Sequence, residues 1–255
     1  MIPIAIFIVG IFAGFLGSML GVGGGFLIVP LLVLILDIPM HLAVGISLTS
    51  VVMTSVSSSI IYAKRGLVDF KLGLFLETAT TTGALVGSYV ALLLPEFILE
   101  IIFGIVLIYA SFKMILSKSV TEKKKTLESL SRKRLLLGLG GSFIAGMASG
   151  MLGIGGGTLK VPILVLILGI ATKTAIATST FMIGLTASVA SLTYQAHGLI
   201  DPIQVAFIIL GIFIGVFIGS HIAMKIKSLT LKRMFGVILF FFALRMLLKG
   251  IGVNI

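Results

Sequence analysis

The sequence predicts an all-α polytopic membrane protein made of two inverted-topology repeats. Each repeat holds about five hydrophobic segments, with short broken or re-entrant helices at two glycine motifs. Three observations predict this. The chain is 58% apolar and only 11% charged, against about 25% charged in an average soluble domain. Its uncharged tracts 1–36, 42–63 and 135–159 exceed the roughly 20 residues that span hydrocarbon. The stretch Met19-Leu20-Gly21-Val22-Gly23-Gly24-Gly25 returns 132 residues later as Met151-Leu152-Gly153-Ile154-Gly155-Gly156-Gly157, and 14 of the 18 positions from Met19 to Leu36 match their partners. Loop charges then place matching loops of the two halves on opposite sides of a membrane.

The segments follow in order. Pro3 to Leu20 is a first span whose Gly10, Gly14 and Gly17 allow close helix approach. It lacks a charged n-region and a small-residue cleavage site, so it reads as a retained segment. The glycine run interrupts it. The apolar piece from Phe26 to Leu36 is 11 residues long, about 16 Å at helical rise and roughly half the hydrocarbon thickness; it reads as a half-helix or re-entrant element. After the break at Asp37-Ile38-Pro39, Met40 to Ala63 is a full span rich in Ser47, Thr49, Ser50, Thr54, Ser55, Ser57, Ser58 and Ser59. Small hydroxyl residues pack helices closely and satisfy buried polar partners. Leu72 to Leu94 carries Glu77 and the ladder Thr78, Thr80, Thr81, Thr82; after Pro95-Glu96, Phe97 to Leu116 spans back.

The second half repeats this order with Leu135 to Leu152, the second glycine break, Leu159 to Leu168, Thr174 to about Gln195, Ile203 to Met224 and Met234 to Leu248. Tyr62 matches Tyr194, Gly66 matches Gly198, Asp69 matches Asp201 and Gly104 matches Gly236. The expected domains are therefore 1–116, a first membrane repeat; 117–134, a basic cytoplasmic linker; and 135–255, a second membrane repeat.

Topology follows from charge. Lys64-Arg65 and the basic linker belong on the cytoplasmic side and Pro95-Glu96 outside, whereas Lys225 to Arg233 reads inside and the nearly uncharged His197 to Pro202 outside. Matching loops swap sides, both chain ends fall outside, and each glycine break sits within a two-segment hairpin. The formal charge of +11 is thereby explained by juxtamembrane loops, and nucleic acid is not an expected partner. With no Cys and three His, thiol catalysis, disulfides and histidine-rich metal centres are set aside. Neither an H-E-x-x-H nor a Gly-x-Ser-x-Gly motif supports an enzyme. No catalytic residue, cofactor or metal is expected.

Irregular backbone is tolerated at membrane depth only where protein or a wet cavity receives it. Helices starting just after Gly25 and Gly157 would aim free N–H groups and positive dipole ends at that cavity, which suits an anion; two such starts related by inversion would converge near the midplane. The bland alternative is that the glycines only permit tight hairpins. The string is not a GxGxxG dinucleotide signature, since no strand-helix alternation surrounds it.

The candidate substrate-binding residues are Gly23, Gly24, Gly25, Gly155, Gly156, Gly157, Lys160, Ser47, Ser179, Thr180, Ser191, Tyr62, Tyr194 and Gln195. Lys160 stands where the first half has Ile28, and a lysine there binds an anion, pairs with an acid or snorkels. Glu77, matched by Ile209, is the candidate proton-coupling group; the alternatives are pairing with Lys160 or bonding to Thr80 or Thr81. The hydroxyls and the Gln195 amide stand between packing and function. His41 and Lys173, which match each other, read as interfacial anchors, and His221 as a weak titratable candidate.

The repeated segments Gly14 to Pro30 and Gly146 to Pro162, each a glycine string followed by proline in a short hydrophobic helix, resemble the sulfite exporter TauE/SafE family, formerly grouped as a domain of unknown function. The resemblance covers nearly the whole chain, including the basic linker. It implies an inner-membrane permease for small anions, chiefly sulfite, sulfonates or related sulfur compounds, working as an exporter. The expected partners are a small anion and the lipid bilayer, with proton coupling and a homodimer left open. The mechanism expected is alternating access; a small-anion channel or an importer is the runner-up, and a membrane enzyme or scaffold stands behind it.

Overall fold

The computed structural model describes residues 2–20, 24–116, 131–223 and 228–253. Gly23, the linker residues 117–130 and the side chain of His221 lie outside the described residues. Among the described residues the chain forms α1 (Ile2–Leu20), α2 (Gly25–Ile35), α3 (Met40–Lys64), α4 (Phe70–Leu93), α5 (Glu96–Ile115), α6 (Arg132–Leu152), α7 (Gly157–Pro162), α8 (Thr172–Ala196), α9 (Pro202–Ala223) and α10 (Ser228–Gly250). Helices α3, α5, α6 and α8 are long and apolar enough to cross a membrane. Large apolar side chains such as Phe12, Leu93, Leu136, Phe217 and Phe241 project from the bundle, as hydrocarbon-facing side chains do. The protein is a multi-pass, all-α membrane protein.

Prolines and aspartates punctuate the helices. Pro39 and Pro95 precede α3 and α5, and Pro202 opens α9, where its missing N–H is harmless. Asp69 caps α4, its Oδ1 accepting from Leu72 N at 3.0 Å, and its counterpart Asp201 accepts from Ile203 N at 2.9 Å at the start of α9. Asp37 adopts φ 49° after α2. Lys249 Nζ donates to Val33 O at 2.7 Å and Asp37 Oδ1 at 2.9 Å, placing a cation where the carbonyls at the end of α2 want one.

Helix backbones meet where glycine removes the side chain. A Cβ on Gly10 or Gly14 of α1 would strike the backbone of Ile208 or Ile212 in α9. Gly83 and Gly87 of α4 face Phe143 and Met147 of α6, while Gly146 and Gly150 of α6 face Thr80 and Ala84 of α4. In both pairs the contacts advance together along the chain, so the helices are parallel. The α5–α10 contacts run the other way, from Gly250 against Phe97 and Ile101 to Gly236 against Ser111 and Ile115. Helices α3 and α8 are also antiparallel: Gly45 abuts Leu199, Ser55 lies beside Gly184, and Asp69 N donates to Thr178 Oγ1 at 2.9 Å. The loops carrying Gly66 and Gly198 therefore lie at opposite ends of the bundle.

Candidate functional site

The two glycine breaks meet inside the bundle. Gly24 and Gly156 each take the left-handed conformation, at φ 79° and 73°, which glycine alone adopts without strain. Each turns the chain into the helix that follows, and no side chain caps either start. A Cβ on Gly25 would lie 2.8 Å from Gly153 O and 3.1 Å from Ile154 C, so the start of α2 is seated directly on the opposite break. Ser47 holds the same carbonyl, donating from Oγ to Gly153 O at 2.7 Å.

The short helices behind the breaks differ. Helix α2 runs eleven residues through Pro30, whereas α7 lasts six and passes after Pro162 into a π-helical turn, Ile163–Ile167. The sequence, identical at 14 of 18 positions across the two breaks, does not announce that difference.

A cavity of about 250 Å³ opens beneath Gly24. Helices α1 and α9 wall one side through Ala13, Gly14, Gly17, Ile209, Ile212, Phe213 and Val216. Helix α3 supplies Ser50, Thr54, Ser55, Ser57, Ser58 and Tyr62, and α8 adds Thr180. From Ser50 to Tyr62 the lining follows α3 for about 18 Å, from mid-helix toward the Lys64-Arg65 end. Most of these hydroxyls spend their proton on their own helix: Ser50 on Ile46 O, Thr54 on Val51 O, Thr180 on Ile176 O. Their lone pairs and dipoles still line the cavity. Ser55 differs, since its buried Oγ has no hydrogen-bond partner.

A second polar centre lies behind the second glycine break, where α7 and α8 meet α4 of the first repeat. Lys160 is 1% and Glu77 4% exposed, which no charge tolerates in an apolar interior without a partner. Lys160 Nζ donates to Thr186 Oγ1, Thr186 Oγ1 donates to Glu77 Oε1, and Nζ lies 3.5 Å from Oε2. The Met182 carbonyl, 2.9 Å from Thr186 Oγ1, is its alternative acceptor. Glu77 Oε2 has no hydrogen-bond partner. Of the readings open for these residues, the geometry brings Lys160 and Glu77 together. Thr80 and Thr81 do not serve the Glu77 carboxylate, because each donates to a backbone carbonyl of α4, Leu76 O and Glu77 O.

The remaining sequence-chosen residues scatter. Gly24, Tyr62 and Thr180 line the cavity together. Tyr194 is buried, with its hydroxyl donating to Gly150 O at 3.0 Å, and Ser191 donates to Ser188 O. Ser179 is buried with an unpartnered Oγ. Gln195 is exposed at the end of α8. Gly155 packs against Val51 and Ile183, and Gly156 against Ser149 and Lys160. His41 ties helix ends together, Nε2 donating to Ala91 O at 2.9 Å. Thr186, the hub of the charged cluster, was not singled out from the sequence. Its identity with Thr54 across the 132-residue offset was the available signal.

Among the described residues, no group of three or more His, Asp or Glu could hold a metal ion. The family model described as Sulfite exporter TauE/SafE matches residues 6–246. A probable membrane transporter protein of Haemophilus influenzae is 30% identical over 262 residues, covering 95% of this chain and 97% of the relative. The probable membrane transporter protein YunE of Bacillus subtilis is 28% identical over 264 residues, covering 96% of this chain and 97% of that one. Sulfite exporter TauE/SafE family protein 5 of Arabidopsis thaliana is 27% identical over 103 residues, 40% of this chain and 23% of the plant protein. No solved structure matches the chain. The match runs through both glycine breaks, the cavity and the buried Lys160–Glu77 pair, and the chain belongs to the sulfite exporter TauE/SafE family of membrane transporters.

Proposed function

We propose that the protein is a secondary transporter in the cytoplasmic membrane that moves a small sulfur-containing oxyanion, of the sulfite or sulfonate class, outward by alternating access. The observation that carries this reading is the cavity beneath Gly24. Its volume of about 250 Å³ falls below the roughly 300–1,000 Å³ of pockets for drug-sized ligands, so it suits a small solute. The uncapped start of α2 and the hydroxyls of Ser55 and Tyr62 offer N–H and O–H donors to an anion without burying a formal charge. By loop charge the Lys64-Arg65 end is cytoplasmic, so the cavity is open to the compartment from which an exporter loads.

Two inverted halves fit the packing. Exchanging the halves by 132 residues turns the α1–α9 pair into the α6–α4 pair and returns α3–α8 and α5–α10 to themselves. Corresponding helices α3 and α8 run antiparallel, as do α5 and α10, which supports a two-fold axis in the membrane plane. In this reading Glu77, buried beside Lys160, is the acid assigned to proton coupling.

Purified protein in proteoliposomes tests the reading. Saturable counterflow of sulfite or a small sulfonate, competed by the other and responsive to an imposed pH gradient, is the expected result. Flux that does not saturate and carries current would make the protein a channel. Absence of flux with sulfite, thiosulfate, sulfate and small sulfonates would overturn the proposal. Loss of the pH response in Glu77→Gln assigns the coupling to that residue.

A further inference from the structure

The 132-residue offset maps the cavity onto the charged cluster. Gly24, Ile28, Thr54 and Ile209 line the cavity; their counterparts are Gly156, Lys160, Thr186 and Glu77. Around the first glycine break these positions enclose open space. Around the second they are drawn together, with Lys160 bonded to Thr186, Thr186 to Glu77, and the two charges 3.5 Å apart.

The mouths differ in the same sense. Ser58, Ile61 and Tyr62 line the open cavity and all three are at least partly accessible. Their counterparts Ala190, Thr193 and Tyr194 are buried, and the Tyr194 hydroxyl is bonded to Gly150 O at 3.0 Å. One half is open and the other holds the same elements shut.

Resting on the transport reading above, we propose that Lys160 is the anion-binding residue of the opposite-facing state, and that the Glu77 carboxylate is an internal anion occupying Lys160 while that half is shut. Two inverted halves can exchange conformations, so that the second half opens as the first closes. Opening at the second half parts Tyr194 from Gly150 and exposes Lys160. A sulfite or sulfonate group presents negatively charged oxygens, as a carboxylate does, and can take the place of Glu77 on the ammonium group and on Thr186.

The shut cluster is not fully satisfied, which favours exchange. Glu77 Oε2 and Ser149 Oγ are buried without hydrogen-bond partners. Ser149 Cβ and Lys160 Cε both lie within 3.4 Å of the point where Gly156 would carry a Cβ, so the serine and the lysine stem flank the same glycine. Among the described residues Glu77 is the charged partner of Lys160. Helix α6 has no titratable residue from Leu135 to Leu152 and α4 carries only Glu77 and Tyr89 beyond Lys71. Helix α8 has Lys173 in its first turn and Tyr194 near its end, and α3 has His41, Tyr62 and Lys64 near its ends. Water entering the opened half hydrates Glu77 once Lys160 has left it.

The chain contains no cysteine, so single cysteines report directly. Ser58→Cys and Ala190→Cys proteins in proteoliposomes would be labelled with a membrane-impermeant thiol reagent, with and without sulfite. Radiolabelled sulfite binding and counterflow would be measured for wild type, Glu77→Gln, Lys160→Met and the double variant. Ser58→Cys should label without substrate and Ala190→Cys should resist until sulfite is added, the rate then rising roughly tenfold as the population shifts. Adding Glu77→Gln should speed Ala190→Cys labelling without sulfite, and Glu77→Gln alone should bind sulfite roughly tenfold tighter because its internal competitor is gone. The double variant should fold yet lose sulfite counterflow. Wild-type counterflow in the double variant, or an Ala190→Cys that stays unlabelled under every condition while wild type transports, would overturn this proposal alone. No flux in wild type would overturn the transport reading, and this proposal with it.

Discussion

Replacing Lys160 by methionine keeps a long unbranched side chain but leaves the Glu77 carboxylate, 4% exposed, facing Thr186 without its cation. Replacing Glu77 by glutamine leaves the ammonium group of Lys160, 1% exposed, without its anion. Removing one partner of a buried pair costs about 3–5 kcal/mol, whereas replacing both by neutral groups of similar volume is often neutral or stabilising by about 1–4 kcal/mol. Each single variant should therefore lose about 3–5 kcal/mol and the double variant, Lys160→Met with Glu77→Gln, should return to within about 1 kcal/mol of wild type or exceed it. With no tryptophan in the chain, helix loss during detergent-driven unfolding is best followed by circular dichroism. Single losses below about 0.5 kcal/mol, or losses that simply add in the double variant, would show that the two charges are independent and refute the reasoning.

Four further perturbations separate the roles of particular atoms. Ser55→Ala removes a buried hydroxyl with no protein partner; stability should hold or rise, while a lost hydrogen bond to an anion, worth about 1.5–3 kcal/mol, should raise the half-saturating sulfite concentration at least roughly tenfold, and unchanged affinity would remove Ser55 from the site. Gly25→Val forces a Cβ to 2.8 Å from Gly153 O, an overpacking expected to cost at least about 1–3 kcal/mol and to lower folded yield and counterflow together. Gly66→Ala, at φ 65° with nothing within 4 Å, should cost only about 1–2 kcal/mol of backbone strain and transport normally; equal damage from both glycine substitutions would discredit the packing account. Lys249→Met removes the two bonds to Val33 O and Asp37, so amide hydrogen exchange over residues 32–38 should accelerate while that of α4 is unchanged.

Much of this was legible in the sequence because duplication supplies its own control. A glycine string read once is a helix breaker; read twice at a fixed offset it marks corresponding positions, and every residue that breaks the correspondence becomes informative. Lys160 against Ile28 and Glu77 against Ile209 were visible as departures in this way. What the sequence could not supply was their convergence, since Glu77 reaches Lys160 only because α4 packs parallel to α6 through Gly83, Gly87, Gly146 and Gly150. The hydroxyls were harder. Tyr62 and Tyr194 match in sequence yet differ in state, one lining a cavity and the other buried against Gly150, and no one-dimensional pattern distinguishes two conformations of one motif. Ser55 looked like its serine neighbours on α3, and only the absence of any acceptor around its buried Oγ sets it apart.

The confinement of the ion pair to one half has an energetic consequence. If both halves were chemically identical, exchanging their conformations would leave the energy unchanged and neither state would be preferred without gradients. On the proposed mechanism, placing Lys160 and Glu77 around the second glycine break alone means that opening there parts a buried pair, while opening around the first break parts nothing charged at Ile28 and Ile209. Shifting a two-state equilibrium from 1:99 to 99:1 takes about 5.5 kcal/mol; because water hydrates both charges once they part, the pair adds to that bias only the surplus of its attraction over the hydration it gave up. On the proposed mechanism that surplus biases an empty carrier toward the state in which the cavity beneath Gly24 is open. An oxyanion that replaces Glu77 on Lys160 would offset the same surplus and so lower the bias. An anion without affinity for Lys160 could fill the first cavity and still fail to turn the carrier over, so selectivity in transport should exceed selectivity in binding.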